Sequence, residues 1–372
     1  MRVVLAPDKF KGCLTAVEVS QALAAGLAAV RPDLDLVQLP IADGGDGTVA
    51  AALSAGYTEV LVDAEGPTGR PVRAAYAMRG SRAVIELAAV VGLEQLPAGQ
   101  LEPLTASTFG LGQVIADALD RGATEIILGL GGSASTDGGA GMAQALGARL
   151  RDSAGREVGR GGAELARLVS LDLLPLRVRL GTTKVMVASD VDHPLLGPNG
   201  AAAVFGPQKG ATPDQVLALE RGLTTWSELV TFIEGRDETL RAGAGAAGGT
   251  GFGAVALLDA RISPGIALVL EMIGFESHLT GADLVITGEG SLDAQSLAGK
   301  APVGVARVAT RADVRVVAVA GRLELDPLRL AQVGIVAAYP LSDLEPDPVR
   351  SVAQARPLLR VVGERIAREG LA

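Results

Sequence analysis

The chain has 372 residues, a formal net charge of −9, 48% apolar residues and only 3% aromatic ones. That length allows two or three domains with a large core, while the acidic balance and the scarcity of aromatics leave neither the basic footprint nor the stacking platforms that nucleic acid requires. Mean hydropathy is +0.35, yet every apolar stretch stops well short of the ~20 residues that span a bilayer. The expected ligand is small, and no membrane partner is expected.

The N-terminus, MRVVLAPDKF, enters a strand at once, without a basic segment and an apolar signal core, so the expected location is the cytoplasm. The single cysteine, Cys13, excludes a disulfide framework, and the two histidines, His193 and His278, argue against a histidine-rich zinc site.

In chain order, Val3–Ala6 is a continuous apolar run, as in a strand buried on both faces, and it ends in Pro7-Asp8-Lys9-Phe10-Lys11-Gly12. Thr15 and Glu18 form a capping-box pattern before apolar positions at helical spacing. A strand at Leu34–Leu39 then delivers the chain to Asp43-Gly44-Gly45-Asp46-Gly47-Thr48. Gly66-Pro67-Thr68-Gly69-Arg70-Pro71 is the first expected domain boundary, because two prolines and two glycines in six residues make neither helix nor strand. Beyond it, Val72–Met78 and Ala83–Leu87 read as a hairpin, and Thr105–Asp120 as a helix with Leu111, Val114, Ile115, Ala118 and Leu119 on one face.

The next segment, Gly129–Gly141 (GLGGSASTDGGAG), lies between an apolar strand, Glu125–Leu128, and a helix start. Glycines such as Gly131 and Gly132 let backbone N–H groups wrap an anion, and phosphate is the natural guest. A strand at Val185–Val187 runs into Ser189-Asp190-Val191-Asp192, and a helix is expected over Asp214–Val230. Asp283–Ile286, Arg315–Val319 and Ile335–Ala338 resume the strand-then-loop rhythm. Residues 1–66 and 282–372 share one style and 67–281 another, which predicts a discontinuous domain with a second domain inserted in it.

The polar tips Asp8/Lys9, Asp43/Asp46, Ser133/Asp137, Asp190/Asp192 and Glu289/Asp293 nearly all follow strands. Carboxyl ends of strands border the ligand crevice in open α/β sheets, so these tips are expected to converge on one cleft between the domains. Carboxylates, lysines, hydroxyls and glycine amides suit phosphoryl transfer, in which Mg²⁺ and cations neutralise phosphate oxygens and a carboxylate orients the attacking hydroxyl. There is no Walker A pattern, since Gly299-Lys300 is followed by Ala301. Gly129–Ala134 also matches the dinucleotide form G-x-G-x-x-A, which keeps a nicotinamide-dependent oxidoreductase as a rival reading; a non-catalytic sensor of phosphorylated metabolites is another.

Seven segments in this order, APDKFKG, ADGGDGT, GGSASTDGGAG, ASDVDHPLLG, FGPQKGA, GAAGGTGFG and TGEGSLDAQ, resemble the bacterial glycerate kinase family. The resemblance implies an α/β fold of two domains, a Rossmann-like parallel-sheet domain built from both chain ends and an inserted mixed α/β domain. It implies ATP and Mg²⁺ as cofactors and D-glycerate as the substrate, phosphorylated at the 2-hydroxyl, with a 3-kinase giving 3-phosphoglycerate as the alternative. Asp190 is then the expected base or Mg²⁺ ligand, with Asp8 and Lys11 as further catalytic residues. Asp43, Gly44, Gly45, Asp46, Ser107, Gly131, Gly132, Ser133, Asp137, Lys209, Glu289 and Asp293 are expected to bind substrate or phosphate. The chain departs from the family pattern at Lys9, Asp46, Ser135-Thr136, Ser189 and His193.

Overall fold

The computed structural model describes residues 1–298 and 300–369; Gly299, beside Lys300, and residues 370–372 lie outside the described set. In chain order the strands are β1 (Arg2–Pro7), β2 (Asp35–Gln38), β3 (Thr58–Glu65), β4 (Pro71–Arg79), β5 (Arg82–Glu86), β6 (Glu125–Gly129) and β7 (Arg149–Arg151). They continue with β8 (Ser170–Asp172), β9 (Lys184–Ala188), β10 (Arg261–Ser263), β11 (Leu284–Leu292), β12 (Arg315–Leu323) and β13 (Ala337–Pro340). No described helix is long and apolar enough to cross a membrane.

The chain folds as two compact units. The first takes Met1–Asp43, Ala50–Gly56 and the described residues from Ile266 onward. Its sheet has the order β13-β12-β11-β1-β2, and every neighbouring pair is parallel. Val3, Val4, Leu5 and Ala6 are fully buried, which explains why β1 is a continuous apolar run rather than an alternating one. The Thr15/Glu18 capping box is present at the start of helix Ala16–Val30. That helix packs against helix Ala355–Glu369 so closely that a Cβ on Gly26 would lie 2.0 Å from the Arg360 carbonyl oxygen.

The second unit comprises Gly44–Val49 and Tyr57–Gly265. Its six-stranded sheet has the order β10-β9-β6-β5-β4-β3. The β3–β4 and β4–β5 pairs are antiparallel, whereas β5–β6, β6–β9 and β9–β10 are parallel; β7 and β8 form a separate two-stranded ribbon. Trp226, Tyr76, Phe252, Leu111 and Ile115 are fully buried in its core.

The switches between units fall at different places from those expected at 66–67 and 281–282. β3 pairs with β4 from Thr58↔Met78 to Glu65↔Pro71, and the Gly66 N–H donates to the Arg70 carbonyl at 2.7 Å. The Gly/Pro cluster is therefore the turn of a hairpin within one sheet. At the other end, helices Gly265–Met272 and Phe275–Leu279 lie almost wholly in the first unit, because the unit boundary follows Gly265. The helix expected from Thr105 begins at Phe109, since Ser107 and Thr108 are held in a buried hydrogen-bond cluster described next.

Candidate active site

In the first unit, the parallel register of β1 and β11 sets Pro7 beside Gly288, and the Asp8 N–H donates to the Gly288 carbonyl at 2.8 Å. Asp8 and Glu289 thus follow one another across two neighbouring strands toward their carboxyl ends, where open α/β sheets bind ligands. Asp8 is only 6% exposed, and its Oδ1 accepts the Lys9 N–H at 2.6 Å. Burial above all, then repulsion from Asp43 and Glu289, push its carboxyl up to about 7 against the opposing pull of Lys9. Burial also pushes the Glu289 carboxyl up, opposed by the Ser296 hydroxyl and the Lys300 charge.

The structure therefore gathers Asp8, Asp43 and Glu289 into one acidic group. Asp293 is used differently: its Oδ1 accepts the Gln295 N–H at 2.8 Å and the Ser296 N–H at 3.3 Å, closing the turn that presents Ser296 to Glu289. Lys11 is exposed in the turn after β1, where a Cβ on Gly290 would lie 3.5 Å from its backbone nitrogen. Among the described residues no three Asp, Glu, His or Cys side chains form a metal-binding group. The donor set nevertheless fits Mg²⁺, which takes oxygen ligands and needs only one or two carboxylates beside waters and phosphate oxygens.

In the second unit, the loop after β6 is tied down at both ends. The Leu130 N–H donates to the Ala188 carbonyl at 3.2 Å, Leu93 N–H to the Gly132 carbonyl at 2.9 Å and Ala134 N–H to the Val91 carbonyl at 3.0 Å. Asp137 is fully buried. Its carboxylate accepts from the Thr108 N–H at 2.8 Å, the Ser107 hydroxyl at 3.1 Å, the Gly139 N–H at 3.2 Å and the Gly141 N–H at 3.3 Å. Burial pushes this carboxyl up while those hydrogen bonds pull it down. Asp137 and Ser107, expected to line the ligand, are placed by these bonds so that they brace the start of helix Ala140–Ala145, which begins with no side-chain cap of its own. The Trp226 indole N–H donates to the Gly138 carbonyl at 3.0 Å, and a Cβ on Gly138 would lie 2.6 Å from the indole ring. That contact, with a φ of +62°, requires glycine there.

Lys209 is 2% exposed. Its Nζ donates to Ser133 Oγ at 2.8 Å and to the Ser135 carbonyl at 2.5 Å. Burial pushes the ammonium down to about 7, with the Asp137 charge pulling the other way. Lys209 lines a cavity of ≈120 Å³ together with Leu93, Gly131, Gly132, Ser133 and Gly248. Gly248 was not expected at the site, although the glycine run 242–251 signals close packing. A Cβ on it would lie 2.0 Å from the Ser135 carbonyl oxygen and 2.9 Å from Lys209 Nζ.

Asp190 stands exposed just past the end of β9, and its Oδ1 accepts the Gly265 N–H at 3.0 Å. Beside it the two glycine loops meet. A Cβ on Gly44 would lie 2.5 Å from Gly265 Cα, one on Gly129 2.7 Å from the Gly44 carbonyl oxygen, and one on Gly131 3.1 Å from Gly45 Cα. Gly44, Gly45, Gly129 and Gly131 thus allow backbone-to-backbone contact at the ends of β6 and β9, with Asp46 exposed at the tip. Glu86, at the end of β5, was missed by sequence reasoning: it is 8% exposed and its Oε1 accepts the Val49 N–H at 2.5 Å. A lone acid closing an apolar strand is the only signal the sequence offered for it. His193 is engaged structurally, with Nδ1 3.0 Å from the Asn199 carbonyl and its ring edge-on to Phe205.

Residues 3–370 match the model of the glycerate kinase family. A glycerate kinase of Bacillus subtilis is 45% identical over 91% of this chain and 90% of its own. The Escherichia coli relative named glycerate 2-kinase is 43% identical with the same coverage. A solved structure of a candidate glycerate kinase 2 from Salmonella typhimurium LT2 matches with a TM-score of 0.87 and 42% identity, covering 99% of this chain and 97% of that one. The chain belongs to the glycerate kinase family, phosphotransferases that take an alcohol as acceptor.

Proposed function

We propose that the protein transfers the γ-phosphoryl group of ATP, with Mg²⁺, to the 2-hydroxyl of D-glycerate in the cytoplasm, giving 2-phosphoglycerate. The observation that carries this reading is the acidic group of Asp8, just past the end of β1, Glu289 in the second half of the neighbouring β11, and Asp43 in the loop after β2. A carboxyl raised to about 7 accepts a hydroxyl proton near neutral pH, and Asp8 is assigned that part. Asp43 and Glu289 are the carboxylates of this unit that would hold Mg²⁺, which neutralises phosphate charge during transfer, and Asp190 is a further carboxylate assigned to the chemistry. Lys11 supplies an exposed positive charge for an anionic group of nucleotide or acid. The name of the Escherichia coli relative, glycerate 2-kinase, supports the 2-position.

The dinucleotide reading of Gly129–Ala134 is weakened, because helix Ala140–Ala145 starts six residues past Ala134 rather than opening directly from the glycine turn. The test is to incubate the protein with Mg·ATP and D-glycerate, follow ADP, and pass the product to enolase. Direct conversion identifies 2-phosphoglycerate, and a requirement for added mutase identifies 3-phosphoglycerate. No ADP release with any hydroxy acid overturns the kinase reading, in favour of a metabolite sensor if the acid binds.

A further inference from the structure

The cavity beside Lys209 separates the ligands of this reaction by size and charge. A buried ammonium is costly unless an anion pairs with it, and the polar contacts of Lys209 Nζ among the described residues are the Ser133 hydroxyl and the Ser135 carbonyl, neither of them a carboxylate. Asp137 is the charge that acts on it, but that carboxylate is committed to Ser107, Thr108, Gly139 and Gly141. An ammonium has three donors; Ser133 Oγ and the Ser135 carbonyl take two of them. The third is available to a ligand in the cavity that Lys209 lines.

The volume decides which ligand. At ≈120 Å³ the cavity is close to the roughly 150 Å³ void that takes a benzene ring, and a three-carbon hydroxy acid is of much the same size. Pockets for larger, drug-sized ligands run to about 300–1,000 Å³, so a nucleotide would have to extend well beyond it. The lining supplies the remaining chemistry. Ser133 adds a hydroxyl, Gly131, Gly132 and Gly248 keep the backbone close, and Leu93 and Phe205 close the apolar side.

We propose that this cavity is the acceptor subsite: the carboxylate of the three-carbon acid pairs with Lys209 Nζ and Ser133 Oγ inside it, and the nucleotide binds elsewhere. This rests on the reading of the protein as a glycerate kinase and names the part of the chain that selects the acid.

The test is calorimetric titration of the full chain with D-glycerate, with and without a non-hydrolysable ATP analogue, alongside titration with ADP. Lys209→Met is expected to lose roughly 100-fold in glycerate affinity and Ser133→Ala about tenfold, with ADP affinity unchanged. Leu93→Trp fills the cavity without touching a charge and is expected to abolish glycerate binding while sparing ADP. It keeps the test decisive if Lys209→Met does not fold. Weakened ADP binding with normal glycerate affinity in these variants overturns the proposal and gives the cavity to the nucleotide. Unchanged glycerate affinity, while the wild type releases ADP with glycerate, overturns the subsite but leaves the kinase reading standing. Failure of the wild type to bind glycerate under either condition overturns both.

Discussion

The Thr108 hydroxyl lies 3.0 Å from Asp137 Oδ2 and, through the same oxygen, accepts the Met142 N–H at 2.9 Å. Two residues 29 positions apart thereby do together what one capping side chain does at an ordinary helix start. The glycine loop is shaped by this buried clasp.

Asp137→Ala removes the acceptor for the Thr108, Gly139 and Gly141 N–H groups at once. Each buried donor left unpaired costs about 1–3 kcal/mol, so a loss of about 3–5 kcal/mol is expected, allowing for relaxation. Urea denaturation measures it. A loss below about 1 kcal/mol would show that the clasp is not a structural brace.

Asp8 gives a pH signature. Its folded value of about 7 lies above the ordinary carboxyl value of 3.8, so between these limits the folded state holds a proton that the unfolded state has released. Its contribution to stability is therefore present at low pH and declines as pH rises from about 4 to 7. The melting temperature of Asp8→Asn should fall less than that of wild type between pH 5 and pH 8, while its turnover drops by orders of magnitude. Parallel melting curves for the two proteins would remove the titration from Asp8.

Lys209 acts in the adjacent window with the opposite slope. Its folded value of about 7 lies below the ordinary lysine value of 10.5, so stability rises with pH from about 7 toward 10 as the cost of the buried charge is relieved. Lys209→Met should flatten this rise in chemical denaturation series. An unchanged slope would assign it to other groups.

Asp190 reaches the Gly265 N–H from the end of β9. Asp190→Asn retains an oxygen for that hydrogen bond but loses the charge, so kcat should fall by about 100-fold or more with an unaltered circular dichroism spectrum. Near-normal turnover would take Asp190 out of the chemistry.

Gly26→Val tests the close approach of helices Ala16–Val30 and Ala355–Glu369. The first added carbon would lie 2.0 Å from the Arg360 carbonyl oxygen, and forcing the helices apart should cost about 1–3 kcal/mol or more. Thermal melting reads the loss, and an unshifted midpoint would show that the pair can part freely.

What the sequence by itself determined about this protein is local or collinear. The buried strands of the parallel sheet show as unbroken apolar runs, the Thr15/Glu18 cap as a three-residue spacing, and the family as seven motifs in order. Those signals need no knowledge of what lies opposite. The Gly66–Pro71 cluster misplaced a domain boundary because turn chemistry is the same whether a hairpin or a linker follows.

Only the tertiary structure decided which of the polar residues are held in buried hydrogen bonds and which stand at the surface or on a cavity. Asp137 and Lys209 look equally suited to an anion site in the sequence, but Asp137 adds donors from Ser107 and Thr108, about thirty residues away, to those of its own loop, whereas Lys209 reaches back 76 residues to Ser133 and makes its polar contacts, among the described residues, with a hydroxyl and a carbonyl. A charge's partners and its access to water are set by packing between distant segments, so its role is decided only when the chain has folded.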